Sequence, residues 1–267
     1  MESQFESVVG IRVGSFLAVF AAMALWEIFA PRRKLTLSRG PRWGSNLGLV
    51  ILNSVMLRFL APVAAFIAAF WAETNFWGLF HSLTVPYWLA VVLSVVLLDL
   101  VIYWQHVMFH YVPFLWRFHL VHHADLDIDV TTGLRFHSIE IVISLGIKVV
   151  TILLLGAPPM GVVAFEVLLN ATSMFNHSNV QLPLRIDAVL RWLTVTPDMH
   201  RVHHSWHKRE TNSNFGFNLP WWDRLFRTYR DQPQDGHLGM TIGLKEYRDE
   251  KQTERLHKML TLPFSKE

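Results

Sequence analysis

Residues 86–110 read PYWLAVVLSVVLLDLVIYWQHVMFH, an apolar run that ends in two histidines. From Pro86 to Trp104 it has the length and apolar content of a membrane span, which needs roughly 20 such residues. Asp99, Tyr103, His106 and His110 fall at i, i+4, i+7 and i+11, one stripe of a helix. Helical rise puts Asp99 about 10 Å below His106, too far to bind the same metal. Asp99 therefore reads first as a polar anchor in the span and second as a support for metal ligands.

Outward from this run the chain offers further spans. Val13–Ala30 ends at Pro31, and Leu47–Trp71 follows a basic loop. Ile139–Leu155 and Met160–Met174 flank Gly156-Ala157-Pro158-Pro159 and read as two short spans or a re-entrant hairpin. The composition agrees: 52% of the 267 residues are hydrophobic and only 17% charged, against about a quarter charged in soluble domains. Mean hydropathy is +0.28. The chain has no cysteine, which excludes disulfides, thiolate zinc sites and cysteine-held iron–sulfur clusters. A net charge of +3 does not argue for nucleic acid. The N-terminal MESQFESVVG lacks a basic signal-peptide region, so the first span reads as retained.

The loop 31–44 carries Arg32, Arg33, Lys34, Arg39 and Arg42, whereas 73–83 has no Lys or Arg. The positive-inside rule places 31–44 in the cytoplasm. Span parity then brings His106, His110, His177 and residues 200–204 to that same face. Leu184–Leu193 reads as an amphipathic surface helix and 231–267 as a polar cytoplasmic tail. The fold class expected is all-α: a polytopic membrane bundle of about four to five helices under a cytoplasmic histidine-rich helical cap. Its domains are 1–90 (membrane helices), 91–230 (catalytic) and the tail.

Three blocks, HVMFH at 106–110, HLVHH at 119–123 and HRVHH at 200–204, hold eight of the 14 histidines. Histidine has no special value in packing, and neutral imidazole is a common metal ligand. Histidines at i and i+4 share a helix face, while adjacent ones point about 100° apart. Each HxxHH can thus serve two neighbouring metals, and two metals can use eight imidazoles where one cannot. His81, His237 and His257 read as surface or satisfied core residues. Of the ionisable residues inside apolar runs, Lys148 and Glu166 sit at mirrored distances from the 156–159 turn and are expected to pair. Arg58 has only Asp99 as a weak partner candidate. Asp125, Asp127, Asp129, Glu140 and Asp198 are placed either to orient imidazoles or to lie in solvated loops.

Residues 99–230 resemble the fatty acid hydroxylase / sterol desaturase superfamily of integral-membrane di-iron oxygenases. The matching elements are DLVIYWQHVMFH (99–110), FHLVHH (118–123), RFHSIE (135–140), NHSN (176–179), HRVHH (200–204) and NFGFNLPWWDRLFRTYR (214–230). The resemblance implies ligand roles for His106, His110, His119, His122, His123, His177, His200, His203 and His204. It also implies a different coordination of the second metal, because Ser173 stands where some relatives carry histidine. His137, His207, Asp99, Glu140 and Asp198 are taken as supporting residues or further ligands, and Trp221, Trp222 and Asp223 as packing beneath the site.

Imidazole alone suits Zn, Cu, Fe and Ni alike, so the two iron ions come from the resemblance, with zinc a possible occupant of purified protein. The implied reaction is hydroxylation or desaturation of a lipid by O2, with two electrons per turnover. The sequence carries no haem, flavin or dinucleotide fingerprint, so a separate donor of cytochrome, ferredoxin or reductase type is expected on the cytoplasmic face. The expected setting is a multi-pass membrane protein, in the inner membrane if bacterial. Alternatives are an alkylglycerol (ether-lipid) monooxygenase and, in another class, a non-catalytic metal-binding or transport protein, whose ionisable groups would instead sit near the membrane midplane.

Overall fold

The computed structural model describes residues 2–60 and 64–265, with side chains from residue 6. Helices dominate: α1 (Glu2–Phe29), α2 (Arg39–Leu60), α3 (Ala64–Thr74), a single turn α4 (Leu79–Ser82), α5 (Tyr87–Tyr111), α6 (Pro113–His123), α7 (Ser138–Leu155), α8 (Pro159–His177), α9 (Leu184–Leu190) and α10 (Pro197–His203). Short turns follow to residue 264. The described residues contain two isolated β-bridges, Pro31 with Val180 and Ser205 with Ile242, and no strand. The all-α expectation holds.

Four stretches are long and apolar enough to cross a membrane: Glu6–Phe29, Arg39–Ser82, Tyr87–Tyr111 and Ser138–Leu155. Large apolar side chains such as Leu17, Leu25, Ile51, Trp88, Val92 and Leu154 remain exposed along them. A helix that is apolar on its outer face as well belongs in lipid. The chain is an integral membrane protein. The expected span Leu47–Trp71 runs through residues 61–63, which lie outside the described residues.

The central run is one unbroken helix. α5 has 25 residues, about 37 Å at helical rise, so it carries Asp99 and both His106 and His110. It stops at Val112, whose backbone is extended (φ −95°, ψ 112°). Pro113 follows and starts α6 in its first turn; proline disfavours α geometry in the residue before it. The resulting bend folds the HLVHH helix back beneath the end of α5.

α7 and α8 are full helices of 18 and 19 residues rather than half-helices around a re-entrant loop. α7 ends on Gly156 in the left-handed region (φ 66°). A Cβ there would also lie 2.2 Å from the Trp77 carbonyl oxygen, so glycine is required twice over. α8 is the centre of the bundle, packed against α1, α3, α5 and α10. Leu98, Ile102, Ile152, Val162 and Phe165 form the core between these helices. Lys148 and Glu166 pair as expected, Nζ to Oε1 at 3.5 Å, and Arg12 of α1 adds a contact to Oε2 at 3.3 Å that the sequence did not suggest.

The basic loop 31–44 is largely built into the cap. Arg42 is fully buried between Asp125 (2.7 Å) and Asp129 (2.7 Å), Arg32 bonds Asp198 at 3.0 Å, and Arg33 donates to the Met240 carbonyl at 2.9 Å. The loop and the histidine blocks therefore lie at the same end of the bundle. Residues 231–265, read from sequence as a polar tail, fold against that end: Met259 and Leu262 are buried with Leu49, Leu120 and Val121. Glu254 pairs with the buried Arg135 and accepts from Leu126 N at 3.0 Å.

The Leu184–Leu193 segment turns its apolar side outward. Leu184, Ile186, Val189, Trp192 and Leu193 are exposed, while Asp187 and Arg191 are buried as an ion pair at 2.6 Å. Arg224 lies over the Trp192 ring at 4.0 Å. This inverted amphipathicity suits a helix resting on a lipid surface.

Candidate metal centre

Nine histidines converge in two groups. His106, His110, His119, His123 and His203 form one, and His122, His177, His200 and His204 the other; within each, one ligand nitrogen per residue lies within 4.8 Å of the rest. The helices explain the division. His119 and His123, one turn apart on α6, enter the first group, and His122, about 100° round from His123, enters the second. In the HRVHH block His200 and His204 share the second group and His203 crosses to the first. Each HxxHH thus serves both groups.

In the first group the outer ring nitrogens are engaged. His106 Nδ1 bonds the Phe215 carbonyl at 2.8 Å, His119 Nδ1 bonds Glu140 at 2.7 Å, and His203 Nδ1 bonds the Ser213 carbonyl at 2.7 Å. His110 Nδ1 meets Asn212 Oδ1 at 3.2 Å. The opposite nitrogens, Nε2 of His106, His110, His119, His123 and His203, are buried with no hydrogen-bond partner. Buried polar atoms are normally satisfied, so five orphaned nitrogens facing one point fit a metal ion. Holding the outer N–H also fixes the tautomer that presents Nε2 as a lone pair. In the second group His122 Nε2 and His200 Nε2 lie 3.1 and 3.0 Å from His177 Nε2, and His177 Nδ1 bonds the Ser173 carbonyl at 2.7 Å. Ser173 donates to the Gly133 carbonyl at 2.8 Å and contributes no side-chain nitrogen.

Burial, reinforced by neighbouring imidazoles, holds His122, His123, His200 and His204 well below the ordinary imidazole range, and burial brings His203 to about 3. These rings are neutral at neutral pH, the form that binds metal. Phe136 stacks on His122 with ring centroids 4.6 Å apart, and Phe215 and Phe217 pack against His106. The site is walled by aromatic rings.

The other expected residues take different places. Glu140 meets the site through His119 alone. Its loss is expected to weaken metal affinity about 10- to 100-fold; chelator competition on Glu140→Ala against the parent protein measures this, and unchanged affinity would refute the role. Asp99 accepts from Asn218 N (3.2 Å), Leu219 N (3.1 Å) and Trp222 Nε1 (2.8 Å). Asp223 accepts from Phe215 N (2.8 Å) and Gly216 N (2.9 Å), and burial pushes its carboxyl up to about 6. Both acids hold the 214–222 loop whose Phe215 carbonyl positions His106. The sequence flagged this NFGFNLPWWD element without revealing that its backbone does the positioning.

His137 stands apart from both groups. Its Nδ1 accepts from Ile139 N at 3.2 Å and caps α7, and its Nε2 meets the Leu260 carbonyl at 3.3 Å. His207 pairs with Asp235 at 2.8 Å, also outside the groups. Asp198 binds Arg32, Arg201 and, at 3.6 Å, the buried His237. Asp125, Asp127 and Asp129 neither orient imidazoles nor lie in solvent. Asp127 accepts from Thr36 N at 2.8 Å and Leu37 N at 2.7 Å, and Asp129 from Trp43 Nε1 at 2.9 Å.

A cavity of about 480 Å³ opens from His106 and His119 into the bundle, walled by Phe109, Phe136, Leu169 and Phe217. Such a volume suits a small ligand or part of a lipid chain.

The family model for fatty acid hydroxylases matches residues 91–228, a range that holds all nine clustered histidines. The chain belongs to the fatty acid hydroxylase family. Relatives within reach include ornithine lipid hydroxylase OlsE of Rhizobium tropici, 26% identical over 85% of this chain and 69% of that protein. Alkylglycerol monooxygenase of Xenopus tropicalis is 28% identical over 73% of this chain and 43% of its own length. Human cholesterol 25-hydroxylase is 28% identical over 52% and 51% respectively. The chain thus spans about half or less of the two last relatives. No solved structure matches it.

Proposed function

We propose that this chain is a membrane-bound oxygenase that hydroxylates or desaturates a lipid with O2, using two metal ions, iron in the active protein, held by the two histidine groups. One observation supports this most: five buried, unpartnered Nε2 atoms face one point beside a second group of four histidines, and an apolar cavity opens at His106 and His119. In the first group His106, His110, His119, His123 and His203 are the ligands, and in the second His122, His177, His200 and His204. Bound iron supplies O2 activation that no side chain here can provide. The protein holds the ligand rings neutral, fixes their tautomers through Glu140 and the Phe215 and Ser213 carbonyls, keeps water out with aromatic walls, and places a lipid carbon next to His106 and His119.

The substrate classes named by the relatives, ornithine lipids, alkylglycerols and cholesterol, share a long apolar body, which the cavity suits. The alkylglycerol reading is carried by the Xenopus tropicalis relative. A transport pathway would need histidines strung across the bundle, whereas all nine sit at one end. The built-in basic loop supports placing that end at the cytoplasmic face. Electrons come from a separate donor docking there. With NAD(P)H as sole reductant the purified protein is expected to consume no O2; adding a reductase and a small electron carrier should start lipid oxidation, followed by mass spectrometry. Turnover with NAD(P)H alone would refute the separate donor, and metal-loaded protein that oxidises no lipid with carriers present would refute the oxygenase.

A further inference from the structure

The 480 Å³ cavity does not end in apolar wall. Val9, Arg12, Leu57, Ser144, Lys148 and Glu166 also bound a second, larger cavity of about 970 Å³, which reaches Arg58 of α2. The two spaces share these lining residues and lead from the histidines to a cluster of charge in which Glu166 is buried, Arg12 and Lys148 are half-buried and Arg58 is exposed.

Two polar stripes mark the route. On α8, Glu166, Asn170, Ser173 and His177 follow at i, i+4, i+7 and i+11, and the first three line the cavity. On α7, Glu140, Ser144 and Lys148 do the same, with Glu140 bonded to His119. Lys148 lies about 12 Å of helical rise from Glu140. That separation suits the apolar part of a lipid between the metal groups and the charges.

Glu6 also borders the larger cavity, so its lining sets three cations, Arg12, Arg58 and Lys148, against two carboxylates, Glu6 and Glu166. Glu166 is buried and faces both Arg12 and Lys148. Among the described residues these two cations have no other polar partner, and Arg58 has none. An arginine offers five N–H donors and a lysine three, so Arg12 and Lys148 can each take a further acceptor beside Glu166. Ionisable groups inside a membrane protein are costly and normally face a partner or a polar ligand. The helix-tying role of the Glu166 triad does not require a net positive charge facing a cavity.

The geometry points to an anionic group of the lipid, a carboxylate or a phosphate, held by Arg12 and Lys148 with Arg58 at the outer end of the cavity and the apolar chain running to the histidines. This assignment rests on the lipid-oxygenase reading and sets the direction in which the substrate lies. The distance from the anion to the oxidised carbon is then fixed by the protein.

The test is binding of palmitate, dipalmitoyl phosphatidic acid and hexadecanol to the metal-loaded full chain in detergent, read by native mass spectrometry. The triple variant Arg12→Met/Lys148→Met/Glu166→Gln removes both cations together with the carboxylate between them, lowering the local charge by one without leaving Glu166 buried alone, and Lys148→Arg keeps the charge. Wild type is expected to bind at least one of the two anions about tenfold more tightly than hexadecanol. The triple variant should lose that preference, Lys148→Arg should keep it, and metal content should stay unchanged. Which anion binds identifies the head group. Equal binding of all three probes by wild type would overturn the assignment even if the triple variant fails to fold, as would a preference that survives in a folded triple variant. Anion binding that is lost in the triple variant, without oxidation of any lipid when carriers are supplied, would instead remove the oxygenase reading and leave the anion site standing.

Discussion

Replacing His122 by alanine is expected to abolish lipid oxidation while leaving a folded, membrane-inserted protein. His122 belongs to the second histidine group, and its Nε2 lies 3.1 Å from that of His177. With four imidazoles there, the loss of one leaves three and an open face, so that metal is held weakly or lost. The first group keeps all five histidines, so His122→Ala should retain roughly one metal per chain. His203→Ala, in the first group, leaves four imidazoles there, as many as the second group has, and should weaken that metal without emptying its site. Folding of His122→Ala should survive because the His122 ring bonds only His177 within its group, and elution volume and helical circular dichroism report it. Full activity of His122→Ala would remove the two-metal proposal.

Arg42→Met is expected to have the largest effect on stability. Arg42 is 1% exposed, and its guanidinium reaches Asp125 and Asp129, each at 2.7 Å. Removing one partner from a buried ion pair costs about 3–5 kcal/mol, because the carboxylates stay buried without compensation. That is a large share of the roughly 5–15 kcal/mol that holds a typical domain. A melting temperature lower by about 6–20 °C in detergent is expected; an unchanged one would refute the role. Burial raises the Asp125 carboxyl, but the Arg42 and Arg135 guanidiniums outweigh it and hold that group below its ordinary range. A depressed carboxylate pKa contributes stability that is fully present above the ordinary carboxylate range and is lost on acidification through the folded value. Wild type should therefore soften in acid more than Arg42→Met does.

Periodic features were legible in the sequence. The spans, the stripe Asp99–Tyr103–His106–His110 and the two-sided HxxHH blocks all follow from helical spacing, and the structure places them accordingly. The Lys148–Glu166 pair was legible because a hairpin relates its two arms by distance from the turn. What spacing does not encode is pairing across long separations. Arg42 meets Asp125 from 83 positions away and Arg32 meets Asp198 from 166, so those aspartates read as imidazole supports when they serve the basic loop. The same holds for Arg12, which has no motif around it yet completes the Glu166 triad, and for His137, a helix cap that resembles a ligand only in type. The Phe215 and Ser213 carbonyls were invisible for another reason: a backbone acceptor has no residue signature.

In the proposed enzyme, histidine alone holds two metal ions per chain. Metal quantification by plasma mass spectrometry on protein purified from iron-replete cells tests it most directly. Two metal equivalents per chain are predicted for wild type, falling to about one in His122→Ala. Wild-type protein with no bound metal, or a His122→Ala variant that keeps both equivalents, would contradict it.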